Sequence, residues 1–138
     1  MSVSKALFYL LTTNSTVASY VSNGDDTFRV HPLTAYIEEH VPYITIQEIT
    51  NNPNNTKNAP SSVDSLTVQI NVIHDNYDGV KILCNAVRSA LDYQQGTFNG
   101  VEIQHISFQG SNDVYEDNVQ LNGGVMVQQE YLVRMIND

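Results

Sequence analysis

Residues 66 to 91, LTVQINVIHDNYDGVKILCNAVRSAL, run a strand pattern into a helix pattern through one short polar turn, and this junction constrains the fold more than any other part of the chain. Leu66, Val68, Ile70 and Val72 recur at every second residue and therefore share one face of a strand. Val80, Leu83, Val87, Ala90 and Leu91 recur with helical period and form a single stripe. Two such faces bury each other. Thr67, Gln69 and Asn71 lie between the apolar strand positions, and Lys81, Arg88 and Asp92 fall off the helical stripe, so the other sides stay polar. In the turn, Asp75 is expected to cap the free helix amides and Asp78 to favour the positive end of the helix dipole. That structural use outweighs an acid/base pair or a cation site shared with Asp64, and nothing in the unit resembles an active site.

A chain of 138 residues, 41% hydrophobic, suffices for one compact core and is short for two. The expectation is one domain over residues 1–138. No apolar run approaches the roughly 20 residues that cross a bilayer. The apolar segment from Lys5 to Leu11 is short and continues into polar TTNST, so a soluble, unsecreted protein without a membrane role is expected. The single cysteine, Cys84, excludes an internal disulfide and a cysteine-based zinc site. Six basic side chains against fifteen acidic ones give a formal charge of −9, and the lysines and arginines are scattered. Phosphate binding needs clustered positive charge, so specific nucleic-acid binding is disfavoured.

Before the central unit, Ser4 is expected to cap a helix with Leu7, Leu10 and Leu11 on one face, interrupted by the polar run Thr12 to Thr16. A short second helix carries Val17, Tyr20 and Val21 and stops at Asn23-Gly24. Thr27 to Val30 reads as a brief strand closed by Pro32, and residues 33–40 read as helical turn or irregular chain. Tyr43 to Thr50 reads as a strand with Ile44 and Ile46 on one face. Residues 51–62, NNPNNTKNAPSS, are nearly free of apolar side chains and are expected to form a mobile loop. After the central unit, Gln94 to Gly100 reads as a turn, and VEIQHISF alternates Val101, Ile103 and His105 against Gln104, Ile106 and Phe108. GSNDVYEDN reads as an acidic loop, and a last strand runs from about Val125 to Ile136. The class is α+β: a mostly antiparallel sheet with a long helix at about 76–92 and an N-terminal helix on one face, and a polar opposite face including Thr67, Gln69, Asn71, Gln128 and Glu130.

The chemistry-bearing residues form no catalytic pattern. His31, His40, His74 and His105 have no ligand spacing, and neither a nucleophile elbow nor a phosphate-binding glycine loop occurs. Asp113, Glu116 and Asp117 supply oxygen ligands without the spacing of a calcium loop. The sequons at Asn14 and Asn54 are chance matches in an asparagine-rich chain. No catalytic residue, metal or cofactor is expected.

Three segments in order, PYITIQEIT at 42–50, VQINVIHDNYDGVKILCNAVRSALD at 68–92, and DVYEDN at 113–118 followed by VMVQQEYLV, resemble the tail-completion proteins of long-tailed bacteriophages, also called tail terminators or tail-to-head joining proteins. Pro42-Tyr43, Arg88, Ala90-Leu91 and Tyr115-Glu116-Asp117 occupy the places of the family pattern, while residues 31–41 and the long loop at 51–62 depart from it. The resemblance implies a non-enzymatic virion protein, assembled in the host cytoplasm into a homo-oligomeric ring, a hexamer by family similarity. This ring would sit on the head-proximal end of the tail tube, halt tube growth and meet the head connector. Its partners would be its own copies, the major tail tube protein and the connector, with DNA passing through an acidic lumen unbound. Asn52, Pro53, Asn54, Asn55, Lys57, Tyr115, Glu116 and Asp117 are the expected interface residues. Two other readings stay open: a minor or tube-associated tail protein that stacks into tubes, and a small acidic protein-binding module.

Overall fold

The computed structural model describes residues 3–24, 27–32, 42–53, 63–115 and 125–136. Helix α1 (Val3–Thr13) turns Val3, Ala6, Leu7, Leu10 and Leu11 inward. It ends where Thr12 and Thr13 donate their hydroxyls to the carbonyls of Phe8 and Tyr9, at 2.7 and 2.6 Å, and Asn14 leaves the helix. The Asn14 side chain accepts from the amides of Thr16 and Val17 and caps helix α2 (Ser15–Val21). Asn14 thus has a structural role that its sequon does not suggest. Ser4 is not a cap, because α1 already begins at Val3 and places Ser4 in its first turn.

Strand β1 (Val30–Pro32) runs parallel to β2 (Tyr43–Pro53), and β2 runs antiparallel to β3 (Val63–His74). Helix α3 (Tyr77–Leu91) follows β3 as the period change requires, with Val80, Leu83, Cys84, Ala86, Val87, Ala90 and Leu91 buried. Its cap is Asn76, whose side chain accepts from the Gly79 amide at 2.9 Å. Asp75 was the expected cap; it turns back to His74 instead, its carboxylate 2.8 Å from Nδ1 and its amide 2.9 Å from the same atom. A neutral ring satisfies one of those two contacts at a time.

Strands β4 (Gly96–Phe98), β5 (Val101–Tyr115) and β6 (Val125–Ile136) complete a six-stranded sheet in the order β1-β2-β3-β6-β5-β4, antiparallel except at β1. The helices lie on one face, and the principal core joins them to Ile44, Ile46, Leu66, Val68, Ile70, Val72, Val127, Tyr131 and Val133. Leu83 is fully buried there, and its truncation to alanine would cost about 2–5 kcal/mol.

Four further readings of the sequence are corrected. Residues 51–53 belong to β2 and pair with Asp64–Leu66, so the link between β2 and β3 begins after Pro53; residues 54–62 lie outside the described residues. Gly110 to Tyr115 continue β5 beside β6 and do not form a loop. Gln94 to Gly100 holds the three-residue strand β4 and a tight turn, with Asn99 at φ 52° and Gly100 at φ 82°. Finally, a bulge at Gln104 resets the alternation of β5: Ile103 pairs with Met135 and His105 with Arg134, which brings Ile106 onto the core face with Val101 and Ile103. Residues 33–40, read from sequence as helical turn or irregular chain, lie outside the described residues.

Candidate assembly surface

Of the expected interface residues, the register places Asn52 and Pro53 at one end of the sheet and Tyr115 at the other. Pro53 lies opposite Asp64, and Val63 opposite Ile136, so the link between β2 and β3 leaves one end. Tyr115 lies opposite Val125, and Val125 opposite His74, so the link between β5 and β6 leaves the other. The twelve residues of β3 separate the two ends by about 36 Å. Asn52 and Pro53 occupy the first end and Tyr115 the second. Asn54, Asn55, Lys57, Glu116 and Asp117 lie outside the described residues.

The two outer strands cover only part of their neighbours. Strand β1 flanks Ile44–Ile46, leaving the outer side of β2 from Gln47 to Pro53 without a described strand. On the far edge β4 flanks Val101–Ile103. Beyond it the chain leaving α3 crosses the edge of β5, where the Tyr93 amide donates to the Ile106 carbonyl at 2.8 Å and the Asp92 carboxylate accepts from the Phe108 amide at 3.0 Å. Past Phe108, the side of β5 away from β6 has no described strand beside it through Tyr115.

This second edge is held on α3 by side chains. Lys81 Nζ lies 2.7 Å from Asp113 Oδ1, the Tyr77 hydroxyl donates to Asp113 Oδ2 at 3.4 Å, and the ammonium sits 5.2 Å from the Tyr77 ring centroid. The hydrogen bond to Asp113 holds the Lys81 pKa above its ordinary value. Nearer the end of α3, Arg88 stacks 4.1 Å above the Phe108 ring and lies 3.5 Å from Asp92. Arg88 is therefore a fastening between helix and sheet. The sequence reading named Lys81 and Asp113 separately and missed their union, because 32 residues divide them.

On the sheet face away from the helices, Gln69 donates to Asn71 at 2.7 Å and Asn71 to the Thr45 hydroxyl at 2.9 Å. The expected polar face thus exists as an amide network satisfied largely from within. Among the described residues, no group of three His, Cys, Asp or Glu gathers as a metal site. His74 is engaged with Asp75 and the Tyr20 ring, and His105 with the Tyr93 ring. Cys84 is buried, and burial pushes its thiol up to about 12, which keeps it protonated at neutral pH. An apolar hollow of about 210 Å³, lined by Ser4, Lys5, Phe8, Val30, Ile46 and Asn99, presents no convergent set of polar groups.

Comparison with known families places this arrangement. The family described as tail completion protein gp17 matches residues 5–129, from within α1 to the first half of β6. The chain belongs to the tail completion protein gp17 family. Among solved structures, a chain from the virion of a native gene transfer agent (GTA) particle is similar in fold, with a TM-score of 0.77 and 13% sequence identity. The alignment covers 99% of this chain and 96% of that one. No curated protein matches in sequence. Membership in the tail completion family bears out the resemblance drawn from the Pro42–Thr50, Val68–Asp92 and Asp113–Asn118 segments, and the α+β sheet with helices on one face is the architecture expected for it.

Proposed function

We propose that this protein is a structural component of the virion that caps the phage tail tube as a ring, stops its growth and joins it to the head connector. Family membership supports the tail role, and the observation that carries the finer reading is that β2 ends at Pro53 and β5 at Tyr115, at opposite ends of one sheet. A subunit built this way meets one partner at its Pro53 end and a different one at its Tyr115 end, as a piece between tube and connector must. The role is one of shape and adhesion and asks for no reactive centre.

Charge fits the same role. A ring multiplies the formal −9 of each copy by its copy number, six in the hexamer implied by the resemblance, and repels DNA passing through it. The polar face at Gln69, Asn71, Gln128 and Glu130 suits the lumen, because its hydrogen bonds are partly satisfied internally.

Adding the purified chain to polymerising tail tube protein, followed by electron microscopy, tests this reading. Rings at one tube end and a mean tube length that falls with dose are the expected results. Tubes built from this chain itself would point to a tube-associated protein, and unaltered tubes with a monomeric chain would point to a separate binding module.

A further inference from the structure

Resting on the ring reading, we propose that neighbouring copies join by main-chain pairing: Thr50–Pro53 of one copy lie antiparallel to Ser111–Val114 of the next, making one continuous sheet around the ring. Each copy carries both halves of this joint. Among the described residues, the part of β2 without an outer strand lies towards the Pro53 end and that of β5 towards the Tyr115 end, so the two stretches occupy diagonally opposite corners. Such a joint is heterologous, which is the type that generates a ring when the rotation closes.

The observed register fixes the geometry. Thr50–Pro53 sit level with Thr67–Asp64 of β3. Ser111–Val114, read through Gln129–Met126 of β6, sit level with Ile70–Ile73 of β3. Pairing Pro53 with Ser111 and Thr50 with Val114 displaces each copy by the interval from Asp64 to Ile70, six residues. Because that interval is even, alternate residues stay on matching faces and the helices of all copies remain on one side of the sheet. Strands β2 and β5 run in opposite senses, so copies of the same polarity pair antiparallel, as cyclic symmetry requires.

A displacement of six residues is about 20 Å along the strands, and six strands span about 29 Å across them, so the strands tilt by about 35°. Closed sheets of barrels tilt by roughly 35–45°. The bulge at Ile49 ends the regular β2 edge just before Thr50, and Pro53, lacking an N–H, ends the joint on the other side. Neither stretch carries the lysine with which free edges are commonly defended, and the one charge, Asp113, is already paired with Lys81. That ion pair also fixes β5 against α3 and so orders this edge before a neighbour arrives.

The joint places Asn52 opposite Asn112. The full-length Asn52→Cys, Asn112→Cys double variant, concentrated and oxidised, is expected to give a ladder of disulfide-linked multimers ending at the ring's copy number. Each single variant alone should stay monomeric on a non-reducing gel, and a mixture of the two singles should stop at dimers. Circular dichroism matching the parent chain checks the fold of each variant. Rings visible by electron microscopy without the ladder would overturn the joint and leave the ring reading standing. Neither rings nor ladder would overturn both, and dimers from one single variant would overturn the joint by revealing a two-fold contact.

Discussion

Gln129 Nε2 donates to the main-chain carbonyl of Cys84 at 3.2 Å, tying the middle of β6 to the middle of α3 inside the core. The Tyr131 hydroxyl donates to Gln129 Oε1, also at 3.2 Å. With Gln129 only 3% exposed, its amide finds the helix carbonyl as acceptor and gives the buried Tyr131 hydroxyl its partner. Gln129→Leu removes both bonds and leaves the Tyr131 hydroxyl buried without a partner. The expected loss is about 1–3 kcal/mol in urea unfolding, and adding Tyr131→Phe should cost much less than it does in the parent chain.

Gly79 is held small by His74. A Cβ at Gly79 would lie 2.8 Å from His74 Nε2, and the ring cannot easily withdraw because Asp75 engages its other nitrogen and the Tyr20 ring packs against it in a T-shaped pair. Gly→Ala in a helix ordinarily gains up to about 1 kcal/mol, so Gly79→Ala is expected to reverse that sign and lower the melting temperature. In a His74→Ala background the same change should stabilise.

Arg29 gathers the end of α2 and the start of β2 around one guanidinium. It donates to the carbonyls of Tyr20, Ser22 and Pro42 and to the Asn23 side chain, at 2.7, 3.3, 2.9 and 2.7 Å. Lysine keeps the charge but not the planar fork. Arg29→Lys is therefore expected to lose about 1.5–3 kcal/mol in chemical denaturation, an effect that charge retention does not rescue.

Alkaline pH should weaken the fold through Cys84. Burial raises its folded pKa from 9.0 to about 12, with Lys81 lowering it by a smaller amount, so above pH 9 the unfolded chain releases a proton that the folded chain keeps. Stability is then full below pH 9 and falls through the window up to about 12, by at most about 1.4 kcal/mol per pH unit. Tyr131, raised chiefly by burial and further by Asp92, adds a slope above pH 10. Denaturation of the parent and of Cys84→Ala between pH 8 and 10 should show the steeper decline only in the parent, and a thiol reagent at pH 8 should leave folded Cys84 unmodified.

Local period carried much of the fold into view. The helix at Tyr77–Leu91, the strand at Val125–Ile136 and the turn at Asn99-Gly100 follow from side-chain spacing and backbone preference alone. What spacing concealed depends on partners distant in sequence. Asn51, Asn52 and Pro53 look like loop residues, yet β3 supplies them with a ladder. Gly110 to Tyr115 likewise extend β5 because β6 lies beside them. The bulge at Gln104 cannot be read from VEIQHISF, since alternation holds on paper and breaks only against Met135 and Arg134. Of the expected interface, Asn52, Pro53 and Tyr115 fall at the ends of long strands, where composition alone gave no sign that the two groups lie at opposite ends of the sheet.

Tail length in a phage from which this reading frame has been deleted tests the central claim most directly. The account predicts tubes of irregular and excessive length, detached from filled capsids, with normal tails restored by the parent chain supplied in trans. Infectious particles with attached tails of uniform, ordinary length in its absence would contradict it.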